Sequence, residues 1–316
     1  MFCLLSMASC SSPAQQDNDL KLSENWFIQS SAEICHDGAA LSDGSVGCEG
    51  WYKASVPSTV MGVLTAENGE YEDAFVGRNY AEIDRERFDT AWWYRTSFDV
   101  PALKEGQRAE LAFDGVSYRA DVWLNGVQIA SADEFYGPFR QFSFDVTDAL
   151  KESNNLAVRI HRWQKGEFNI GFVDWNPRPV DESMGIFRPV WLKYSNEVAM
   201  KNPVVRSKVD TVSFDEAWLT VEATLCNASD RNISGKLCGK YEEGSFSYPV
   251  ELAAGETKTV SLTADQIKRL HVKNPRLWWC HNLGNPEMYS MELSFVADGK
   301  VSDSQIVDFG IRQLDS

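Results

Sequence analysis

The segment with the most chemical potential runs from Phe172 to Pro189: Phe172-Val173-Asp174-Trp175-Asn176-Pro177-Arg178-Pro179-Val180-Asp181-Glu182-Ser183-Met184-Gly185-Ile186-Phe187-Arg188-Pro189. Proline removes a backbone donor and fixes φ, so three of them in one short stretch read as loop rather than helix or central strand. The same stretch is dense in Trp, Asp, Asn and Arg. Aromatic faces pack on the apolar C–H face of a pyranose, and Asp, Asn and Arg supply paired hydrogen bonds to ring hydroxyls. Asp174, Trp175, Asn176 and Arg178 are therefore candidate sugar contacts. A purely structural reading is open beside it, in which Trp175 and Phe187 plug the base of the fold and Asp174 or Asp181 pairs with Arg178 or Arg188.

No other segment carries a self-sufficient catalytic pattern. The four histidines, His36, His161, His271 and His281, form no H-E-x-x-H and no paired Cys/His spacing, so no metal site is assigned. A nucleophile elbow, a P-loop and a dinucleotide fingerprint are all missing from the sequence. The 46 acidic residues could supply a carboxylate pair, but glycoside hydrolysis with retention needs two carboxyls about 5 to 5.5 Å apart in a cleft. Nothing in their spacing marks such a pair. No catalytic residue and no cofactor are assigned.

The elements that must position the loop have period two, so the chain reads as all-β. Leu111 and Phe113 alternate with Glu110, Ala112 and Asp114. Asn125-Gly126 sits between β-formers and marks a hairpin, because both turn residues need positive φ. Phe142, Phe144 and Val146 alternate next, then Leu156, Val158 and Ile160 after a turn expected at Ser153-Asn154-Asn155. Ser58 could cap one surface helix, reaching Asn68 and carrying Val60, Met61 and Leu64. A second strand series follows Asn202-Pro203: Val204-Val205, Trp218–Leu225, Ser234–Tyr241, Thr257–Leu262 and Met288–Phe295. Seven or so strands in that span match an immunoglobulin-like sandwich of about 100 residues.

The length of 316 residues suits two domains of about 100 to 200 residues each. With 43% hydrophobic and 12% aromatic residues, both can build packed cores. The formal charge of −16 repels phosphate backbones and anionic lipid, arguing against nucleic acid and membrane-surface partners. No run approaches the ~20 apolar residues of a membrane helix, so no transmembrane segment is expected. Met1 to Ser9 is short and apolar, and Cys10 precedes the polar stretch Ser11 to Asp19. This resembles a bacterial lipoprotein signal with Cys10 lipidated, which would export the chain to the periplasm or anchor it at the outer membrane. An ordinary cleaved terminus is the alternative. The seven cysteines are an odd number and define no complete disulfide framework. Cys226 and Cys238, expected on neighbouring strands, could bridge or remain free half-buried thiols.

Six motifs stand in a telling order: Trp92-Trp93-Tyr94-Arg95-Thr96-Ser97-Phe98, Phe113-Asp114-Gly115-Val116, Asp121-Val122-Trp123-Leu124-Asn125-Gly126, Asp145-Val146-Thr147, Asn155-Leu156-Ala157-Val158 and Gly185-Ile186-Phe187-Arg188-Pro189-Val190. In this order they resemble the first domain of family 2 glycoside hydrolases. Asp174-Trp175-Asn176-Pro177-Arg178 is closest to the exo-β-glucosaminidase and β-mannosidase branch. Asp308-Phe309-Gly310-Ile311-Arg312 resembles the last strand before that family's catalytic barrel.

With residues 1–21 left to the lipoprotein-like signal and tether, the resemblance implies a jelly-roll, galactose-binding-like sugar-binding domain over 22–198 and an immunoglobulin-like β-sandwich over 199–316. It also implies that Asp174 contacts the sugar in the terminal subsite, with Trp175, Asn176 and Arg178 around it. Val173 stands where typical β-mannosidases carry Trp, which favours a glucosaminidase-like or otherwise divergent specificity over plain β-mannosidase. The family's two catalytic Glu residues lie in a (β/α)₈ barrel of about 250 residues, expected to be absent here. The expected function is thus the non-catalytic front of a retaining exo-glycosidase, inactive alone, with a β-linked glycan or oligosaccharide and the missing barrel as partners. A stand-alone carbohydrate-binding surface lipoprotein and a purely structural adhesin-type sandwich pair are the alternatives.

Overall fold

In the computed structural model, residues 19–71, 73–168, 175 and 178–314 are described. The chain divides into two compact units between Tyr194 and Ser195. The junction expected at 198/199 falls inside a strand, Val198–Val209, a few residues later.

The first unit is built from two antiparallel sheets. One has six strands in the order Tyr52–Ala54, Trp26–Ser30, Trp92–Asp99, Ser153–His161, Arg119–Leu124, Val127–Ala130. The other has four, in the order Leu20–Lys21, Val190–Ser195, Arg108–Phe113, Phe142–Asp145. Their inner faces share one core that includes Trp26, Tyr94, Leu111, Phe113, Phe135, Leu156, Val158 and Ile160. This is the jelly-roll arrangement expected from the alternating strands, and the wide apolar faces are what hold it together.

Strand Trp92–Asp99 departs from simple alternation, because its first five residues are all buried. Trp92 and Tyr94 enter the main core. Trp93 points the other way and joins Leu41, Trp51 and Trp123 in a second small core. Segment 31–51, with helix Gly38–Ser42, covers that outer face. Gly38 lies so close to the Trp123 indole that an added Cβ would meet the ring at 2.2 Å. A glycine is required there by close approach, not by φ.

Asn125 and Gly126 adopt φ of 53° and 88°, and the hairpin joins Arg119–Leu124 to Val127–Ala130 as expected. Asn125 donates from Nδ2 to the Ala149 carbonyl and to Asn154 Oδ1, both at 2.8 Å. Its Oδ1 accepts the Asn155 amide at 2.9 Å. That network corrects the expected turn at Ser153-Asn154-Asn155. These residues begin the strand Ser153–His161; the Asn154 side chain closes the preceding turn on Lys151 and accepts from the hairpin's Asn125, while Ser153 and Asn155 bond through their side chains to Asp99 and Ser97 of the adjacent strand.

The expected surface helix also changes. Its cap is Thr59, whose side chain accepts from Gly62 N at 3.1 Å, not Ser58, which lies in a short strand with Thr59. The helix Val60–Gly62 continues as a π-turn over Val63–Glu67. Val60, Met61, Val63 and Leu64 are all buried. Four apolar residues among the first five cover more than one helical stripe, so the helix belongs inside, not on the surface.

The second unit is an immunoglobulin-like sandwich. One sheet orders Val198–Val209, Glu216–Asn227 and Thr257–Thr263, with His271–Lys273 also pairing to Glu216–Asn227. The other orders Gly244–Leu252, Ile233–Tyr241, Tyr289–Ala297 and Lys300–Phe309. Strand Glu216–Asn227 alternates between half-buried and buried along its whole length, as a half-covered sheet requires. Asn202-Pro203 is not the boundary of the series but a register shift inside Val198–Val209, where proline interrupts pairing. Val198 N donates to Ser302 Oγ at 2.9 Å and Met200 N to Asp303 Oδ2 at 2.6 Å, so side chains satisfy backbone donors along that edge. Cys226 and Cys238 lie on consecutive strands of different sheets and form no disulfide with each other, so the bridge is not made and both are half-buried thiols.

Candidate functional site

One end of the jelly roll gathers the segments that bear on the site. Strand Ser153–His161 ends where Ile160 faces Trp92 and His161 faces Arg119. Arg119 in turn bridges to Tyr136. Gly185 exchanges backbone hydrogen bonds with Ser117 at 2.8 and 2.9 Å and pairs with Thr59. Segments 58–67, 114–118, 131–141, 162–168 and 178–186 therefore meet at this end, as binding loops on a rigid β scaffold commonly do.

The strap from Arg178 to Ile186 is tied to the scaffold at several points. Val180 N donates to the Tyr80 hydroxyl at 2.9 Å. Asp181 Oδ2 accepts from Met61 N at 2.8 Å and Oδ1 accepts from Ser183 N at 3.0 Å. Val60 N donates to the Met184 carbonyl at 2.8 Å. Glu182 and Ser183 both take left-handed φ, 52° and 56°, a conformation non-glycine residues adopt only when surroundings fix it. Burial raises the Asp181 carboxyl above its ordinary range, against the pull of the Met61 and Ser183 amides. Burial likewise raises the Tyr80 phenol.

Arg178 projects from this strap. Its Nε meets Glu182 Oε1 at 2.7 Å, and its guanidinium lies 5.4 Å from the Trp163 ring centroid. Its carbonyl accepts from Arg85 Nη2 at 2.9 Å. Trp175 is 84% exposed and so is no plug for the sandwich. Phe187 is half-buried and packs edge-on to Phe139 at 6.1 Å, while Arg188 lies over both of those rings. Of the structural pairing considered from sequence, the Asp181 part is replaced: Asp181 binds backbone amides, while Arg178 binds Glu182 and Arg188 lies over aromatic rings. Asp174, Asn176 and Cys10 lie outside the described residues.

Other aromatic groups stand at the same end. Phe139 and Phe168 expose most of their rings. Arg119 is held between Tyr118 and Tyr136, at 5.5 and 5.8 Å from their centroids, and ion-pairs with Glu167. His161 Nε2 meets Asp121 Oδ2 at 2.7 Å. An exposed indole three residues before a carboxylate-paired guanidinium can stack on one sugar face and hydrogen-bond to hydroxyls. Among the described residues, no group of three or more His, Cys, Asp or Glu is arranged to hold a metal.

A family model described as a glycosyl hydrolase 2 galactose-binding domain-like matches residues 26–169, and one for glycosyl hydrolases family 2 matches residues 198–312. An exo-β-D-glucosaminidase of Streptomyces avermitilis is 36% identical over 291 residues, covering 92% of this chain and 32% of that protein. The chain belongs to glycoside hydrolase family 2, of which it carries the N-terminal part. The crystal structure of the Amycolatopsis orientalis exo-chitosanase CsxA matches with a TM-score of 0.86 at 31% identity, covering 94% of this chain and 34% of that one. A rat β-mannosidase is more distant, at 25% identity over 89% of this chain and 36% of its own length. The chain thus spans about a third of the length of the family 2 relatives it matches.

Sequence reasoning singled out Arg178 but not Glu182, whose role was signalled only by its place four residues on. Trp163 and Tyr80 carried no local signal. They meet the strap through contacts that span 15 and 100 residues of chain.

Proposed function

We propose that this chain is the sugar-contacting front part of a retaining exo-β-glycosidase that acts on β-glucosaminides. The observation that carries this reading is the similarity to an exo-β-D-glucosaminidase over 92% of the chain. The fold likeness to the CsxA exo-chitosanase supports it independently. Asp174, Trp175, Asn176 and Arg178 are the substrate contacts, with Asp174 reaching the non-reducing sugar. Trp175 offers its ring as a stacking platform, and Arg178, neutralised by Glu182, bonds to hydroxyls without repelling an ammonium group.

The catalytic carboxylates of this reading are two Glu residues of a (β/α)₈ barrel, and the 316 residues alone are inactive. The polypeptide is exported and held to a membrane through Cys10. Joining the chain to a family 2 barrel tests the reading: the fusion releases p-nitrophenol from p-nitrophenyl β-D-glucosaminide and the 316-residue chain does not. Sugar binding without any barrel-dependent turnover would favour a stand-alone carbohydrate-binding lipoprotein.

A further inference from the structure

Asp181 is the most buried carboxylate among the described residues, at 2% exposure. No Lys, Arg or His pairs with it among those residues. A buried charge without a cation is costly unless backbone donors hold it. The Met61 and Ser183 amides and its own amide do so here, joined by the Thr59 hydroxyl, and Met61 belongs to a helix 120 residues away in sequence. The first N–H groups of a helix lack intrahelical partners. At helix Val60–Gly62 the strap supplies two of the three: Met184 O takes Val60 N, and Asp181 Oδ2 takes Met61 N, both at 2.8 Å. Thr59 takes the third, from Gly62 N.

We propose that Asp181 is the positioning residue of the sugar-contacting strap. It ties the buried helix to residues 178–186, and through that tie fixes the Arg178–Glu182 pair over Trp163. Its carboxylate bridges both sides of the joint: Oδ2 reaches the helix and Oδ1 holds Ser183, in the left-handed pair Glu182-Ser183. Without the bridge these two residues lose the contact that holds their unusual backbone, and Glu182 no longer meets Arg178. This inference rests on the strap being the sugar contact.

The experiment compares the 316-residue protein with Asp181→Asn and Asp181→Ala by amide exchange and by titration with glucosamine, both followed by NMR. Asn keeps the size and one acceptor but presents NH₂ to a backbone donor, so the effects rank wild type, Asn, Ala. Exchange at Met61 and Ser183 rises at least ten-fold in the Ala variant. The Arg178 Nε–H resonance shifts or broadens, and glucosamine affinity falls five-fold or more in protein that remains folded. A variant that merely melts earlier while binding glucosamine as wild type does, with Arg178 Nε–H unmoved, overturns the proposal. If wild type itself binds no glucosamine, the sugar reading fails instead. The Met61 and Ser183 exchange rates then show separately whether the bridge exists.

Discussion

Arg178 and Glu182 meet through a 2.7 Å contact on an irregular strap, with Glu182 9% and Arg178 46% exposed at the side chain. The near-buried partner is the one that suffers when the pair is cut. Because Arg178 remains solvated, the loss is held to about 1 kcal/mol. Arg178→Ala should lower unfolding stability by that amount in urea titration, and an unchanged midpoint would contradict the pairing.

Trp175 gives the opposite pattern. Its ring is 84% exposed, so Trp175→Ala should change stability by less than about 0.5 kcal/mol. A stacking platform contributes about 0.5 to 1.5 kcal/mol, so glucosamine affinity should fall roughly two- to twelve-fold. Calorimetric titration beside thermal melting separates the two. Equal affinity in both proteins would remove Trp175 from the site.

Asn125 concentrates structural weight at one hairpin. Asn125→Ala loses three side-chain hydrogen bonds and places alanine at a left-handed φ of 53°. The expected cost is about 3 kcal/mol. Asn125→Gly restores the backbone freedom but not the bonds, and should fall between wild type and Ala. A glycine variant as stable as wild type would mean that the turn needs only its φ.

Asp121 ties stability to pH. Burial opposes its ionisation, but the His161 hydrogen bond, the Ala132 amide and the charges of His161 and Arg159 outweigh it and lower its pKa. A carboxylate depressed in the folded state stabilises the fold above its unfolded pKa of about 3.9 and loses that contribution as pH falls through the folded value. Asp121→Asn should therefore reduce stability at pH 6 and flatten its decline between about pH 5 and 2. Parallel curves for the two proteins would contradict the assignment.

Much of the architecture was legible where the signal was local. Asn125-Gly126 announced its hairpin because the constraint lies within two residues. Alternation at Leu111 and Phe113 located a core face by period alone. Asp298-Gly299, with φ of 51° and 74°, carries the same turn chemistry and joins Tyr289–Ala297 to Lys300–Phe309, although the second strand alternates poorly. What was not legible depends on distant partners. Asn154 and Asn155 look like turn residues until Asn125 is beside them, and nothing near Asp181 in sequence announces Met61.

Turnover of p-nitrophenyl β-D-glucosaminide by the chain joined to a family 2 barrel, compared between wild type and Asp174→Ala, tests the account most directly. The account predicts that kcat/KM falls at least ten-fold in the variant, about 1.4 kcal/mol or more of lost transition-state binding, with the melting temperature unchanged. Equal turnover by the two proteins would contradict the sugar-contacting role of this segment.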